Sequence, residues 1–167
     1  MSKNGMVLLV AMIGSIVLTL RQRVGVKKQT IQDQIMTEQT DPTLNNVSIT
    51  SATALSSLVW LNEGDNVSVT ATFNENVLVT GSPQLTIVVG STNRTATYTS
   101  GSGSTPLVFQ YTIQSGDNDT NGISIGANSL ALNSGTIRDA SGNYATITHS
   151  EFPDNSSYIV DNTAPTV

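Results

Sequence analysis

Carboxylates hold most of the chemistry open to this chain. Asp117 and Asp119 flank Asn118, Asp139 and Asn143 flank Ala140-Ser141-Gly142, and Asp161 lies close to the C-terminus. Glu63, Asp65 and Glu75 add further oxygen donors. Calcium binds through roughly six to eight such oxygens, so Asp117, Asp119, Asp139 and Asp161 are the calcium candidates, with the Asp161 junction as the leading position. None of these stretches has the pattern of an EF-hand loop. The same residue types have an architectural use, because Asp and Asn side chains close turns by accepting bonds from nearby backbone amides. Both uses stay open at the level of sequence.

Other reactive groupings fail on composition. Glu75 beside Asn76, and Glu151 near Asp154, are the nearest approach to a glycosidase pair, which needs carboxylates about 5–9.5 Å apart across a cleft. His149-Ser150-Glu151 has the letters of a triad, yet neighbours on a strand point to opposite faces. The 167 residues include no cysteine and one histidine, which removes thiolate chemistry, disulfides and histidine-cluster metal sites. Charged residues make up only 11%, against about 25% in an average domain, and the net charge is -5. An acidic surface cannot neutralise phosphates, so nucleic acid is not an expected partner. The inventory points to a non-enzymatic scaffold.

What must position these residues is two different pieces of chain. Residues 1–40 carry five basic and two acidic side chains, whereas residues 41–167 carry Arg94 and Arg138 against ten acids. Ten of the 13 glycines also lie beyond residue 41, so the expected boundary falls near Thr40-Asp41-Pro42. Met6–Leu20 is uncharged and, as a helix, about 22 Å long, short of a hydrocarbon core of about 30 Å. Lys3 ahead of this apolar run suggests a signal peptide, but no small-x-small cleavage site follows it. Leu20, Val24, Ile31 and Ile35 continue a near-helical spacing. An N-terminal hydrophobic α-helix over 1–40, contacting membrane through residues 6–20, is the expectation. Basic residues after the run would hold the body on the cytoplasmic side by the positive-inside rule. That conflicts with the character of the body described below.

Gly5 followed by Met6-Val7-Leu8-Leu9-Val10-Ala11-Met12-Ile13, with Gln29-Thr30-Ile31-Gln32-Asp33-Gln34-Ile35-Met36 further on, resembles the N-termini of minor type IV pilins over residues 5–36. The resemblance implies a retained apolar helix through which subunits assemble. Val10 stands where the major pilins have glutamate.

Beyond Asn45 the pattern changes to period two. Val67, Val69, Ala71 and Phe73 alternate with Ser68, Thr70 and Thr72, which predicts a strand with one buried and one wet face. Further strands are expected at Val47–Thr53, Gln84–Val89, Arg94–Thr99, Leu107–Ile113, Ile123–Ile125, Ser129–Leu132, Tyr144–Thr148 and Ser157–Val160. Gly-, Asn- and Ser-rich turns separate them. Trp60, Phe73, Phe109 and Tyr111 are expected to pack the core. The reading is all-β: an immunoglobulin-like antiparallel β-sandwich of seven to nine strands over residues 41–160, with 161–167 opening a linker.

A second resemblance rests on several ordered strings. They are Glu63-Gly64-Asp65, Val69-Thr70-Ala71-Thr72-Phe73-Asn74-Glu75-Asn76-Val77, Gly81-Ser82-Pro83-Gln84-Leu85-Thr86 and Arg94-Thr95-Ala96-Thr97-Tyr98. Ser115-Gly116-Asp117-Asn118, Leu130-Ala131-Leu132-Asn133-Ser134-Gly135-Thr136-Ile137-Arg138-Asp139-Ala140 and Asp161-Asn162-Thr163-Ala164-Pro165 complete the set. Together they are similar to the bacterial Ig-like repeat known as a flagellar-system- or swimming-associated repeat, which recurs in tandem in adhesins. The resemblance implies a cell-surface or extracellular module used for spacing or adhesion, with neighbouring repeats, a surface receptor or a glycan as partners. It transfers no catalytic residue. Asp41-Pro42-Thr43 and Pro165-Thr166-Val167 read as two copies of one linker about 120 residues apart, in keeping with tandem use. Two further readings stand beside the spacer: a minor pilin-like subunit and a calcium-dependent carbohydrate-binding module.

Overall fold

The computed structural model describes residues 40–53 and 60–164. The expected N-terminal helix, its membrane-contacting stretch at 6–20 and the linker residues 165–167 lie outside the described residues.

Nine strands and no helix are found among the described residues. They are β1 (Leu44–Thr53), β2 (Asn66–Thr80), β3 (Gln84–Val89), β4 (Thr92–Ser100), β5 (Ser104–Thr112), β6 (Asn118–Asp119), β7 (Leu130–Ala131), β8 (Thr136–Arg138) and β9 (Val160–Asp161). The ladders between them are all antiparallel. The main sheet runs β1-β2-β5-β4-β3-β7, with β8 added to β2; β6 and β9 form a separate pair.

Period two explains the sheet. Val67, Val69, Ala71 and Phe73 of β2 point inward with Leu107, Phe109 and Tyr111 of β5 and Leu85, Ile87 and Val89 of β3. Ile123, Ile125, Ile137 and Val160 pack against that face from the less regular later part of the chain, so one core serves both. The arrangement is sandwich-like. Tyr98 meets Phe109 edge-on, with ring centres 5.8 Å apart. On the wet faces, hydroxyls pair across strands: Thr50 with Thr70 at 2.9 Å and Thr80 with Thr136 at 2.7 Å.

Three expectations need correction. Trp60 is not in the core but 51% exposed, because Leu61 takes the inward position beside it. β2 does not end at Phe73; its register slips between Thr72 and Val77, and the strand continues to pair with β8, which the sequence did not suggest. Ile123–Ile125 and Tyr144–Thr148 do not form strands of their own but touch neighbours through isolated bridges. Closely spaced turns interrupt this part of the chain, including left-handed residues at Asn128, Asn133 and Ser134, and no ladder there has room to lengthen.

The chain enters and leaves at opposite ends of the β1–β2 ladder, which runs from Leu44 paired with Phe73 to Thr53 paired with Asn66. Entry is held beside Phe73: Leu44 pairs with Phe73, Thr43 N–H donates to Asn74 Oδ1 at 2.8 Å, and Leu44 N–H donates to the Thr146 carbonyl at 2.9 Å. Exit is held beyond Asn66, where Asp161 N–H donates to the Leu61 carbonyl and Glu63 N–H donates to Asn162 Oδ1 at 2.6 Å. Seven residue steps separate Asn66 from Phe73, about 23 Å at roughly 3.3 Å per step.

Candidate functional site

The exit end gathers most of the buried charge. Asp117 follows β5 at the Gln114–Asp117 turn, and its carboxylate is enclosed by three donors. Tyr111 donates its hydroxyl to Oδ2 at 2.5 Å, the Gln114 amide donates to the same oxygen at 3.0 Å, and Arg94 Nε reaches Oδ1 at 2.7 Å. Arg94 Nη2 closes the ion pair at 2.5 Å. Burial by itself would raise the Asp117 carboxyl, but the bonds from Tyr111 and Gln114 and the Arg94 guanidinium outweigh it and hold the group below its ordinary range. Burial, reinforced by the bond to Asp117, pushes the Tyr111 phenol up.

Asp119, one step beyond Asn118, is buried and ties two loops together. Its Oδ2 accepts the Gly90 amide at 2.7 Å, and Oδ1 accepts the amides of Asn121 at 3.2 Å and Gly122 at 2.8 Å. Both glycines are required. Gly90 and Gly122 have φ of 61° and 98°, and a Cβ at either would strike a carbonyl oxygen, that of Asn118 or of Asn155. Asn118 points the other way, accepting Asn162 N–H at 2.9 Å. Asn162 in turn donates to the carbonyls of Gln114 at 3.0 Å and Asp117 at 2.8 Å. Through its backbone amide Asn162 ties the departing segment to β6, and through its side chain to the Gln114–Asp117 turn and to Glu63.

The remaining candidates are held in the same way. Asp139 accepts the Asn143 amide at 2.8 Å and the Asn143 side-chain nitrogen at 2.7 Å. Burial opposes its ionisation, yet the Asn143 side chain and the amides of Asn143, Gly142 and Ser141 prevail and keep its carboxyl low. Asp161 accepts the Thr163 amide at 2.9 Å. Asp65 accepts the Asn62 amide at 2.8 Å.

The four calcium candidates are therefore not gathered at one point. Asp117, Asp119 and Asp161 lie around the β6–β9 pair, while Asp139 closes a turn after β8 near the entry end. Among the described residues no three His, Cys, Asp or Glu side chains form a group able to hold a metal ion. Asp119, Asp139 and Asp161 accept amide hydrogens, and Asp117 accepts from Tyr111, Gln114 and Arg94.

Family models, curated proteins and solved structures give no match to this chain. Its own geometry carries the functional argument.

His149 is buried, whereas Ser150 and Glu151 are exposed. Ser129 N–H donates to its Nε2 at 2.9 Å, while Nδ1 lies 2.8 Å from the Ser150 carbonyl. A carbonyl only accepts and an amide N–H only donates, so this arrangement takes the tautomer with hydrogen on Nδ1 alone. The ring closes a turn.

Two exposed apolar patches escaped the sequence reading. At the exit end Trp60 stands half in solvent, and Glu63, three residues further along the chain, is also exposed. Near the entry end, Leu78 is 47% exposed opposite Arg138, and Arg138 is bridged to Tyr144, which is 58% exposed. The Arg138 guanidinium carbon sits 4.0 Å from the centre of the Tyr144 ring, and its Nη2 donates to the Tyr144 hydroxyl. The available signal was Leu78 falling out of phase with buried Val77.

Proposed function

We propose that the chain is a non-enzymatic module of a bacterial cell surface, an immunoglobulin-like spacer that works between neighbouring repeats or beneath an adhesive tip. The observation that supports it is the placement of the two chain connections at opposite ends of the β1–β2 ladder, each tied down by hydrogen bonds. A spacer must pass tension from one connection to the other. Here tension runs along β1 and β2, so the bonds of their ladder are loaded in shear and share the force, whereas a transverse pull breaks them one after another. The acidic body, with its Thr-paired wet faces, suits an exposed stalk.

Pulling single molecules of the full chain through Asp41 and Thr163, and then through Ser91 and Thr163, tests the reading. Rupture is expected at clearly higher force in the first geometry, because forced unfolding follows the barrier along the loaded coordinate. Equal forces in the two geometries would overturn it.

A further inference from the structure

We infer that the exit end of one module docks head-to-tail on the entry end of a second copy, with Trp60 and Glu63 set against Leu78, Arg138 and Tyr144. Residues 41–167 contain two cations, Arg94 and Arg138. Arg94 is consumed by Asp117, while Arg138 makes no ion pair among the described residues. Its guanidinium carbon sits 4.0 Å from the centre of an exposed ring, and Leu78, paired with it across the ladder, is exposed too, so the surface joins a cation to apolar side chains. Charge complementarity selects the occupant. The body has ten acids, and one of them, Glu63, is exposed three residues from the only tryptophan, itself half in solvent. An exposed tryptophan and an exposed acid three residues apart complement an arginine placed over a tyrosine ring, and Trp, Tyr and Arg are the residue types that dominate binding energy at interfaces.

The two patches lie at opposite ends of the module, so they cannot meet within one copy. They are also different surfaces, so the contact is heterologous and propagates in one direction rather than closing a symmetric dimer. It rests on the spacer reading for its direction, since the same axis carries the chain in and out.

The test is sedimentation velocity of the full chain in mild detergent, over a wide concentration range. The intact chain should self-associate in a concentration-dependent series, and W60S, E63R and Y144S should each weaken that step about tenfold or more. E63R and R138E chains should each associate poorly alone, and mixing them should restore the series, because each then offers the other a complementary end. Circular dichroism checks that R138E folds. If it does not, W60S and E63R decide alone, since both alter exposed side chains. No concentration-dependent association, or association unchanged by W60S and E63R, overturns the docking. So does a failure of the folded E63R and R138E pair to recover it. Glycan binding lost in Y144S with association intact would assign the patch to a carbohydrate and overturn it too. The pulling experiment separates the two proposals: unequal rupture forces with no self-association would leave the spacer standing and remove the contact.

Discussion

The part of the molecule from β1 to β5 and the part from β6 to β9 solve the same problem by different means. The first hides backbone polarity in long ladders and holds its face shut with alternating Val, Ile, Leu and Phe. The second has only two- and three-residue ladders and satisfies its loops with buried Asp side chains and with Asn side chains nearer the surface. Where ladders are short, backbone amides need other acceptors, and a carboxylate with two oxygens can serve three of them at once. Acidic residues in the later half are thus explained by hydrogen-bond accounting before any ligand is invoked.

The difference is broken most severely at Phe109. It is fully buried between strands of the regular half, and Phe109→Ala should cost about 3–5 kcal/mol through lost burial and the cavity left behind. Equilibrium denaturation measures it, and the loss should be global, lowering amide protection in both halves. A loss confined to β1–β5 would show that the halves do not share a core.

Next in size is Asp119→Ala. It strands the amides of Gly90, Asn121 and Gly122, and leaving buried donors without a partner costs about 1–3 kcal/mol. Hydrogen exchange should accelerate first at Gly90 and over 119–124, with the β1–β2–β5 ladders protected longest. Asp119→Asn keeps the shape but weakens the acceptors and should fall between Ala and the native residue. Millimolar calcium should leave the melting temperature of the native chain unchanged if amide hydrogens fill the acceptor sites; a rise would return a cation to this loop.

Acid should strip the same half. The folded carboxyls of Asp117 and Asp139 are held below their ordinary range, so the unfolded chain binds protons more readily than the folded one. Their contribution is complete above the ordinary carboxylate pKa of about 4 and disappears as pH falls through the lower folded values. Stability measured from pH 6 to pH 2 should therefore decline with acid. Tyr111→Phe removes one donor that keeps Asp117 low, so it should make that decline shallower while lowering stability at neutral pH.

Legibility in the sequence follows the same divide. Five strands of the regular half were readable because burial on one face forces apolar and polar residues to alternate, and Val67 to Phe73 repeat that without a break. β6 and β8 were not, since two- or three-residue ladders carry no period. Asp117 and Asp139 were readable as turn residues, but Asp117 meeting Arg94 joins positions 23 apart, which no local pattern encodes. Trp60 misled because its size argues for burial while the alternation of the chain gives the inward place to Leu61. The exposed pair Arg138–Tyr144 depends on a bridge across the Asp139–Asn143 turn, so it became visible only once that turn was built.

The smallest effect sharpens the comparison rather than breaking it. Ser134 holds φ at 64°, and Asn133 before it is at 48°, in the tight turn between β7 and β8. A side chain in the left-handed region costs about 1–2 kcal/mol, and asparagine tolerates it better than serine does. Ser134→Gly removes that strain but adds freedom to the unfolded chain, which returns about 0.4–1 kcal/mol of the gain. The net should be a slight stabilisation, read as a small rise in denaturation midpoint at unchanged slope. Ser134→Ala, which keeps the Cβ, should show none of it. If glycine gave no gain, the turn would be under no strain, and the brevity of β7 and β8 would have to come from side-chain bonding alone.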